Sequence, residues 1–145
     1  MTTIAYKDGV IACDSRITSG SLIVDDNEIK MVKKGDVVFF LAGSTSDYLA
    51  FIDAYISGAS VDKDSDCAAL VIDKGMVYFV SDEEGKLFKC PAKQPYSIGS
   101  GSKHAITAMD MGATASEAVK IAMKRDASTG GKVRTYKVAP SLKAH

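Results

Sequence analysis

The dipeptide Asp8-Gly9, set between the apolar-rich runs Thr3–Lys7 and Val10–Asp14, does most to restrict what this chain can fold into. A type I′ turn needs positive φ at both central residues, which Gly takes freely and Asp tolerates, and its twist matches that of two antiparallel strands. The chain is therefore expected to open as a tight hairpin. The same grammar recurs downstream. Ile29–Val32 and Val37–Ala42 flank the polar turn Lys33-Lys34-Gly35-Asp36, and Ala68–Ile72 and Met76–Val80 flank Asp73-Lys74-Gly75. Lys86–Lys89 follows Glu84-Gly85 as the next strand of a meander, and Tyr96–Ile98 adds a short one.

Helical spacing interrupts these strands. Tyr48, Leu49, Phe51, Ile52, Tyr55 and Ile56 recur at a helical period behind the N-cap candidates Ser44–Asp47, and Gly58 ends the segment. Lys103–Met111 places Ala105, Ile106 and Met109 on one face. After Gly112, Thr114-Ala115-Ser116-Glu117 forms a capping box for a second helix running to Arg125. Asp126–Gly131 reads as a loop and Val133–Val138 as the last strand. Strands, helix, strands, two helices and a strand describe an α+β protein rather than a βαβ parallel fold.

At 145 residues, 46% hydrophobic and 25% charged, residues 1–145 form one domain, burying roughly 70% of its unfolded surface. Eighteen basic and eighteen acidic residues cancel. That balance leaves no electrostatic footprint for nucleic acid or an anionic membrane, and does little to oppose self-association. The longest apolar run, Val37–Ala42, is far too short to span a bilayer, and no secretory signal precedes it. Cys13, Cys67 and Cys90 read as reduced thiols of a cytoplasmic protein. With no CxxC pair, and with His104 and His145 far apart, neither a metal site nor a cofactor is expected.

Thr2 stands directly behind the initiator. Removal of Met1 would place a hydroxyl and a free α-amine on one residue, a nucleophile beside its own base. A threonine hydroxyl is weak at neutral pH, whereas an α-amine with a reference pKa of roughly 7.7–8.0 is partly neutral there. Such a site needs a neighbouring cation to favour the developing alkoxide, and Lys30 is the candidate. A buried lysine in turn needs a carboxylate, which Asp14 in Ala12-Cys13-Asp14-Ser15-Arg16 offers. Taken alone, Lys30 reads more readily as a solvated strand lysine and Asp14 as a turn residue. Ala42-Gly43-Ser44, at a strand-to-helix junction, suits the backbone N–H donors of an oxyanion hole, or an ordinary turn. Gly99-Ser100-Gly101-Ser102 has the look of a phosphate cradle but lacks the Gly-Lys-Ser/Thr ending of a P-loop. Arg125–Gly131 combines a carboxylate, two hydroxyls and a diglycine, fit to bind an amine or simply to end a helix.

In order along nearly the whole chain, Thr2-Thr3-Ile4, Ile11–Arg16, Ala42-Gly43, Ile98–Ser102 and Arg125–Gly131 resemble the proteasome β-subunit pattern of the N-terminal-nucleophile (Ntn) hydrolases. The resemblance implies a threonine peptidase with Thr2 as nucleophile and its freed amine as base, Asp14 and Lys30 beside it, and Gly43 as the oxyanion donor. Lys33 and Lys34, in the turn, match the family lysine less well. Ser100, Asp126 and Thr129 match residues that hydrogen-bond around the amine and hydroxyl, Thr129 where a Ser is usual. Thr18 matches a position whose backbone pairs with an extended substrate. Ile17, Leu41 and Thr45 match the primary specificity pocket, with an apolar preference. The implied fold is a four-layer αββα sandwich of two antiparallel sheets flanked by helices. The implied partners are a peptide or unfolded-protein substrate, further copies in a homo-oligomer, and an ATPase unfoldase.

Between Gly43 and Ala68 this chain has room for one short helix where the family has two long ones, and little chain follows the last strand. One helix layer is therefore expected to be truncated. An Ntn amidohydrolase acting on a small amide, and a catalytically silent assembly subunit, are the alternatives; fold alone does not separate them.

Overall fold

In the computed structural model, which describes residues 2–139, Asp8 and Gly9 adopt φ of 52° and 73°. Both are positive, as a type I′ turn requires, and they join β1 (Thr3–Lys7) to β2 (Val10–Cys13) with Ala5 opposite Ala12. A second hairpin, β3 (Ile17–Ser19) and β4 (Leu22–Asp25), follows. Next come β5 (Met31–Lys34), β6 (Val37–Gly43), a 3-10 turn at Thr45–Asp47 and α1 (Tyr48–Ser57). The meander is β7 (Cys67–Asp73), β8 (Met76–Glu83) and β9 (Lys86–Pro91), turned by Lys74-Gly75 and Glu84-Gly85, again with positive φ throughout. The chain continues through β10 (Tyr96–Gly99), α2 (Ser102–Asp110), α3 (Ala115–Arg125) and β11 (Arg134–Lys137). The expected order of elements is present, in an α+β arrangement of a four-stranded sheet β10-β1-β2-β11, a five-stranded sheet β5-β6-β7-β8-β9 and the β3-β4 hairpin.

Three local expectations are corrected. The β3-β4 hairpin was not foreseen, although Gly20-Ser21, with Gly20 at φ 59°, is a two-residue loop of the kind that puts Gly first. The loop before β6 is likewise only Gly35-Asp36, since Lys34 pairs with Val37 and Lys33 with Val38. Both lysines therefore belong to β5, and Lys30 precedes the strand. Finally, neither Ser44 nor Asp47 caps its helix through its side chain. The Asp47 carboxylate instead accepts from the Asp66 N–H at 3.0 Å. Thr114 and Glu117 do form the expected capping box on α3.

Alternation along β6 divides the interior. Phe40 and Ala42 pack with Ile4, Ile11 and Cys13 of the four-stranded sheet and with Leu70 and Ile72. Phe39 and Leu41 point the other way, against Phe51 and Ile52 of α1, as the two-residue period of a strand demands. Ala5 and Ala12 turn outward from the four-stranded sheet to meet Ala105 and Met109 of α2 and Ala118 and Val119 of α3. Alanines at those positions let the helices approach closely. No helix among the described residues is long and apolar enough to cross a membrane.

Candidate active site

Thr2, Asp14 and Lys30 converge in the interior at 1%, 0% and 2% exposure. Asp14 lies one residue beyond β2, its N–H still bonded to Thr3 O at 3.3 Å, so the first hairpin sets Asp14 beside the start of β1. Lys30 is placed by β6: the Leu41 N–H donates to Lys30 O at 3.1 Å. The Lys30 ammonium donates to Asp14 Oδ1 at 2.8 Å and to Thr2 Oγ1, while the Thr2 hydroxyl donates to the same Asp14 oxygen. Burial lowers the Lys30 pKa below the ordinary lysine value, and the Asp14 carboxylate opposes that shift.

A buried ion pair is stable only when its remaining hydrogen-bonding capacity is met. Asp14 meets that condition: Oδ1 also accepts from the Thr3 N–H at 3.2 Å, and Oδ2 accepts from the N–H groups of Gly130 at 3.0 Å and Arg16 at 3.4 Å. The chemical result is a hydroxyl held between a carboxylate acceptor and an ammonium. The ammonium would stabilise an alkoxide at Thr2 Oγ1.

A second network abuts the first. Asp126, which follows α3, accepts from Ser100 Oγ at 2.5 Å, from Thr129 Oγ1 at 2.6 Å and from the Ser128 N–H at 3.2 Å. Burial would raise the Asp126 pKa, but these hydrogen bonds outweigh it and hold the carboxyl below its ordinary value. Because Thr129 gives its proton to Asp126, the Thr3 hydroxyl donates to Thr129 across 2.7 Å. Ser100 Oγ also lies 3.3 Å from Thr2 O. Gly99 makes this approach possible: at φ +99°, a Cβ there would sit 2.0 Å from Thr2 O.

Gly43 ends β6 at φ +113°, where an added Cβ would come within 2.4 Å of Asp66 O. Gly43, Ile17, Thr18 and Thr45 meet around an open cavity of about 410 Å³. Leu41 is a correction. It is fully buried among Phe51, Ile52 and Val71 and does not line this cavity, because its place in β6 turns it toward α1. Gly20, Ser44, Tyr48, Asp66 and Ser128 complete the lining; the sequence marked Ser44 and Ser128 only as parts of Ala42-Gly43-Ser44 and Arg125–Gly131, and gave Gly20, Tyr48 and Asp66 no part in a site. Thr3 and Arg16 were also passed over as functional residues. Arg16 bridges Asp26, at 2.8 and 3.2 Å, to Ala127 O at 3.0 Å and braces the loop that holds Thr129. The nearest sequence signal for Arg16 was its place in the Asp14-Ser15-Arg16 run. Met1 lies outside the described residues. Among the described residues no His, Cys, Asp or Glu side chains gather as metal ligands.

No family model and no curated protein matches the sequence. Solved structures do. BPH of Thiobacillus denitrificans is 19% identical over 97% of this chain and 99% of its own, with a TM-score of 0.71. The same protein in complex with epoxomicin gives 20% identity, 96% and 99% coverage, and 0.70. The eukaryotic HslV of Trypanosoma brucei is 17% identical over 93% of this chain and 97% of that one, with a TM-score of 0.69. What these proteins share with the chain is its architecture, and the fold of the chain is the fold of BPH and HslV.

Proposed function

We propose that this protein is a threonine-type peptidase whose nucleophile is Thr2, exposed by removal of Met1. The observation that carries the reading is the Thr2 hydroxyl set between the Asp14 carboxylate and the Lys30 ammonium, all within the protein interior. A scaffold has no need to bury a lysine against a threonine hydroxyl, given what desolvating both charges costs.

In the proposed reaction the freed Thr2 amine takes the hydroxyl proton as Oγ1 bonds to the substrate carbonyl carbon. The Lys30 ammonium offsets the charge developing on Oγ1, and the Gly43 N–H receives the carbonyl oxygen as it becomes an oxyanion. The tetrahedral intermediate collapses with cleavage of the C–N bond, and the proton held by the amine passes to the leaving amine. Water then attacks the Thr2 ester, breaks its C–O bond and restores the hydroxyl. Ser100, Asp126 and Thr129 hold the Thr2–Thr3 segment in place, and the Thr18 backbone pairs with an extended substrate.

The fold would be the four-layer αββα stack with α1 alone covering the outer face of the five-stranded sheet. The three separate apolar clusters support that order of layers. A homo-oligomer acting on peptide or unfolded protein in the cytoplasm, fed by an ATPase unfoldase, completes the reading. Leu22, Ile23 and Val24, successive residues of β4 at 66%, 47% and 59% exposure, support self-association.

Intact-mass analysis with epoxomicin, the compound held by T. denitrificans BPH, tests the proposal. Wild-type protein lacking Met1 should gain one adduct, mapped to Thr2, and lose its peptide hydrolysis, while Thr2→Ala should take no adduct and hydrolyse no peptide. A processed protein that takes no adduct at Thr2 and cleaves no peptide overturns it.

A further inference from the structure

The cavity beside Gly43 is not the apolar pocket that Ile17, Leu41 and Thr45 suggest in sequence. Leu41 is absent from it, and Ser44, Ser128, the Tyr48 ring and Asp66 take its place. Burial raises the Tyr48 pKa, so its hydroxyl is a neutral phenol, within 3.4 Å of Leu41 O. Asp66 is the one charged residue of the lining, and among the described residues its carboxylate forms no ion pair.

The position of Asp66 is held from three directions. Its N–H donates to the Asp47 carboxylate at 3.0 Å, and its carbonyl accepts from the Ser44 N–H at 2.8 Å. The same carbonyl closes on Gly43, where a side chain would strike it. The backbone that carries the carboxylate is thus fixed against the proposed oxyanion glycine.

We infer that the substrate residue contributing the scissile carbonyl is basic, and that Asp66 selects it. An arginine or lysine entering past Ile17 and Thr45 would lay its aliphatic stem along the Ile17 side chain. Its charged head would end against Asp66, with Ser44 and Ser128 as additional acceptors. An acidic side chain would meet only repulsion. A leucine would leave the carboxylate, which is exposed to solvent, without a partner and would gain no charge-assisted contact. The inference rests on the threonine-peptidase reading and names the substrate class of that same site.

The test uses the processed full chain and a set of peptide epoxyketones and matching fluorogenic peptides that differ only in that residue: Arg, Lys, Leu or Glu. Labelling at Thr2 and kcat/KM should favour Arg over Leu by about 10-fold, the scale of one charge-assisted contact, and Glu should be slowest. Asp66→Asn should bring the Arg-to-Leu ratio close to one, and Asp66→Lys should make Glu the faster of Arg and Glu. Labelling at Thr2 with Leu or Glu preferred, or an Arg-to-Leu ratio that Asp66→Asn leaves unchanged, overturns the inference and leaves the nucleophile standing. Failure of every probe to label Thr2 overturns both.

Discussion

Asp14→Asn keeps the size of the side chain but removes the charge opposite Lys30 Nζ. The Lys30 side chain is 1% exposed and its carboxylate partner 0% exposed, so little solvent is available to replace what is lost. Two routes bound the cost. If the ammonium stays charged, stranding one member of a buried pair costs about 3–5 kcal/mol. If it sheds its proton at pH 7, against an unfolded lysine near 10.4, the cost is about 4.6 kcal/mol at 1.36 kcal/mol per unit. Both routes give about 4 kcal/mol, which a urea slope near 2 kcal/mol/M converts to a midpoint shift of about 2 M.

The pH dependence adds a second reading. Lys30 is already held below the ordinary lysine value by burial. Between its folded and unfolded pKa values the unfolded chain binds more protons, so stability rises with pH in that window. Without Asp14 the folded value falls further and the window opens at a lower pH. The variant should therefore gain more than wild type as the pH rises toward the unfolded lysine value, and the gap between them should narrow. Adding Lys30→Met to Asp14→Asn should recover most of the loss. Urea titrations across that pH range decide the matter: a midpoint within 0.3 M of wild type at pH 7, or a gap that does not change with pH, refutes the buried pair.

Gly99→Ala should destabilise the chain by about 2–4 kcal/mol, through strain at positive φ and collision with Thr2 O, and should abolish epoxomicin labelling in whatever fraction stays folded. Thr129→Val should cost about 1–3 kcal/mol in denaturant titrations, because it strands the Thr3 hydroxyl and removes a donor from Asp126, whereas Thr129→Ser should keep most of the network. With a colorimetric disulfide reagent at pH 8, native protein should react rapidly at Cys90 only, and urea should release all three thiols. Cys13 and Cys67 are buried, Cys13 being pushed up to about 11 and Cys67 further.

The elements that could be read from the sequence are those whose signal is local. Asp8-Gly9, Lys74-Gly75 and Glu84-Gly85 fix their turns by the φ values they tolerate, and Thr114 with Glu117 caps its own helix. The β3-β4 hairpin escaped because its strands follow no inside-outside alternation: Leu22, Ile23 and Val24 are all exposed, so periodicity had nothing to detect. Thr3 escaped for the opposite reason. Its partner Thr129 is 126 residues away, and no local pattern marks a side chain as half of such a pair. Asp66 was similarly hidden in an acidic link, since what distinguishes it from Asp62 and Asp64 is contact with Gly43 and Asp47 across the end of the sheet.

The choice among Lys30, Lys33 and Lys34 shows how a small error in a turn propagates into a site. A four-residue loop at Lys33–Asp36 removes both later lysines from the ladder and leaves Lys30 inside a strand. The two-residue loop at Gly35-Asp36 instead pairs Lys34 with Val37 and Lys33 with Val38, at the turn end of the sheet, where both are exposed. Counting back from there sets Met31 opposite Phe40 and brings Lys30 to the Leu41 N–H, beyond the last pair of β5 and β6. That end lies against the end of the four-stranded sheet at which β2 releases Asp14 and β1 begins after Thr2. Distance from the turn, rather than strand membership, therefore separates the buried lysine from its solvated neighbours. Inserting two residues into the Gly35-Asp36 loop while leaving the β5-β6 register unchanged should accordingly leave the Lys30 site intact. A one-residue slip of β5 against β6 would withdraw Lys30 from Asp14.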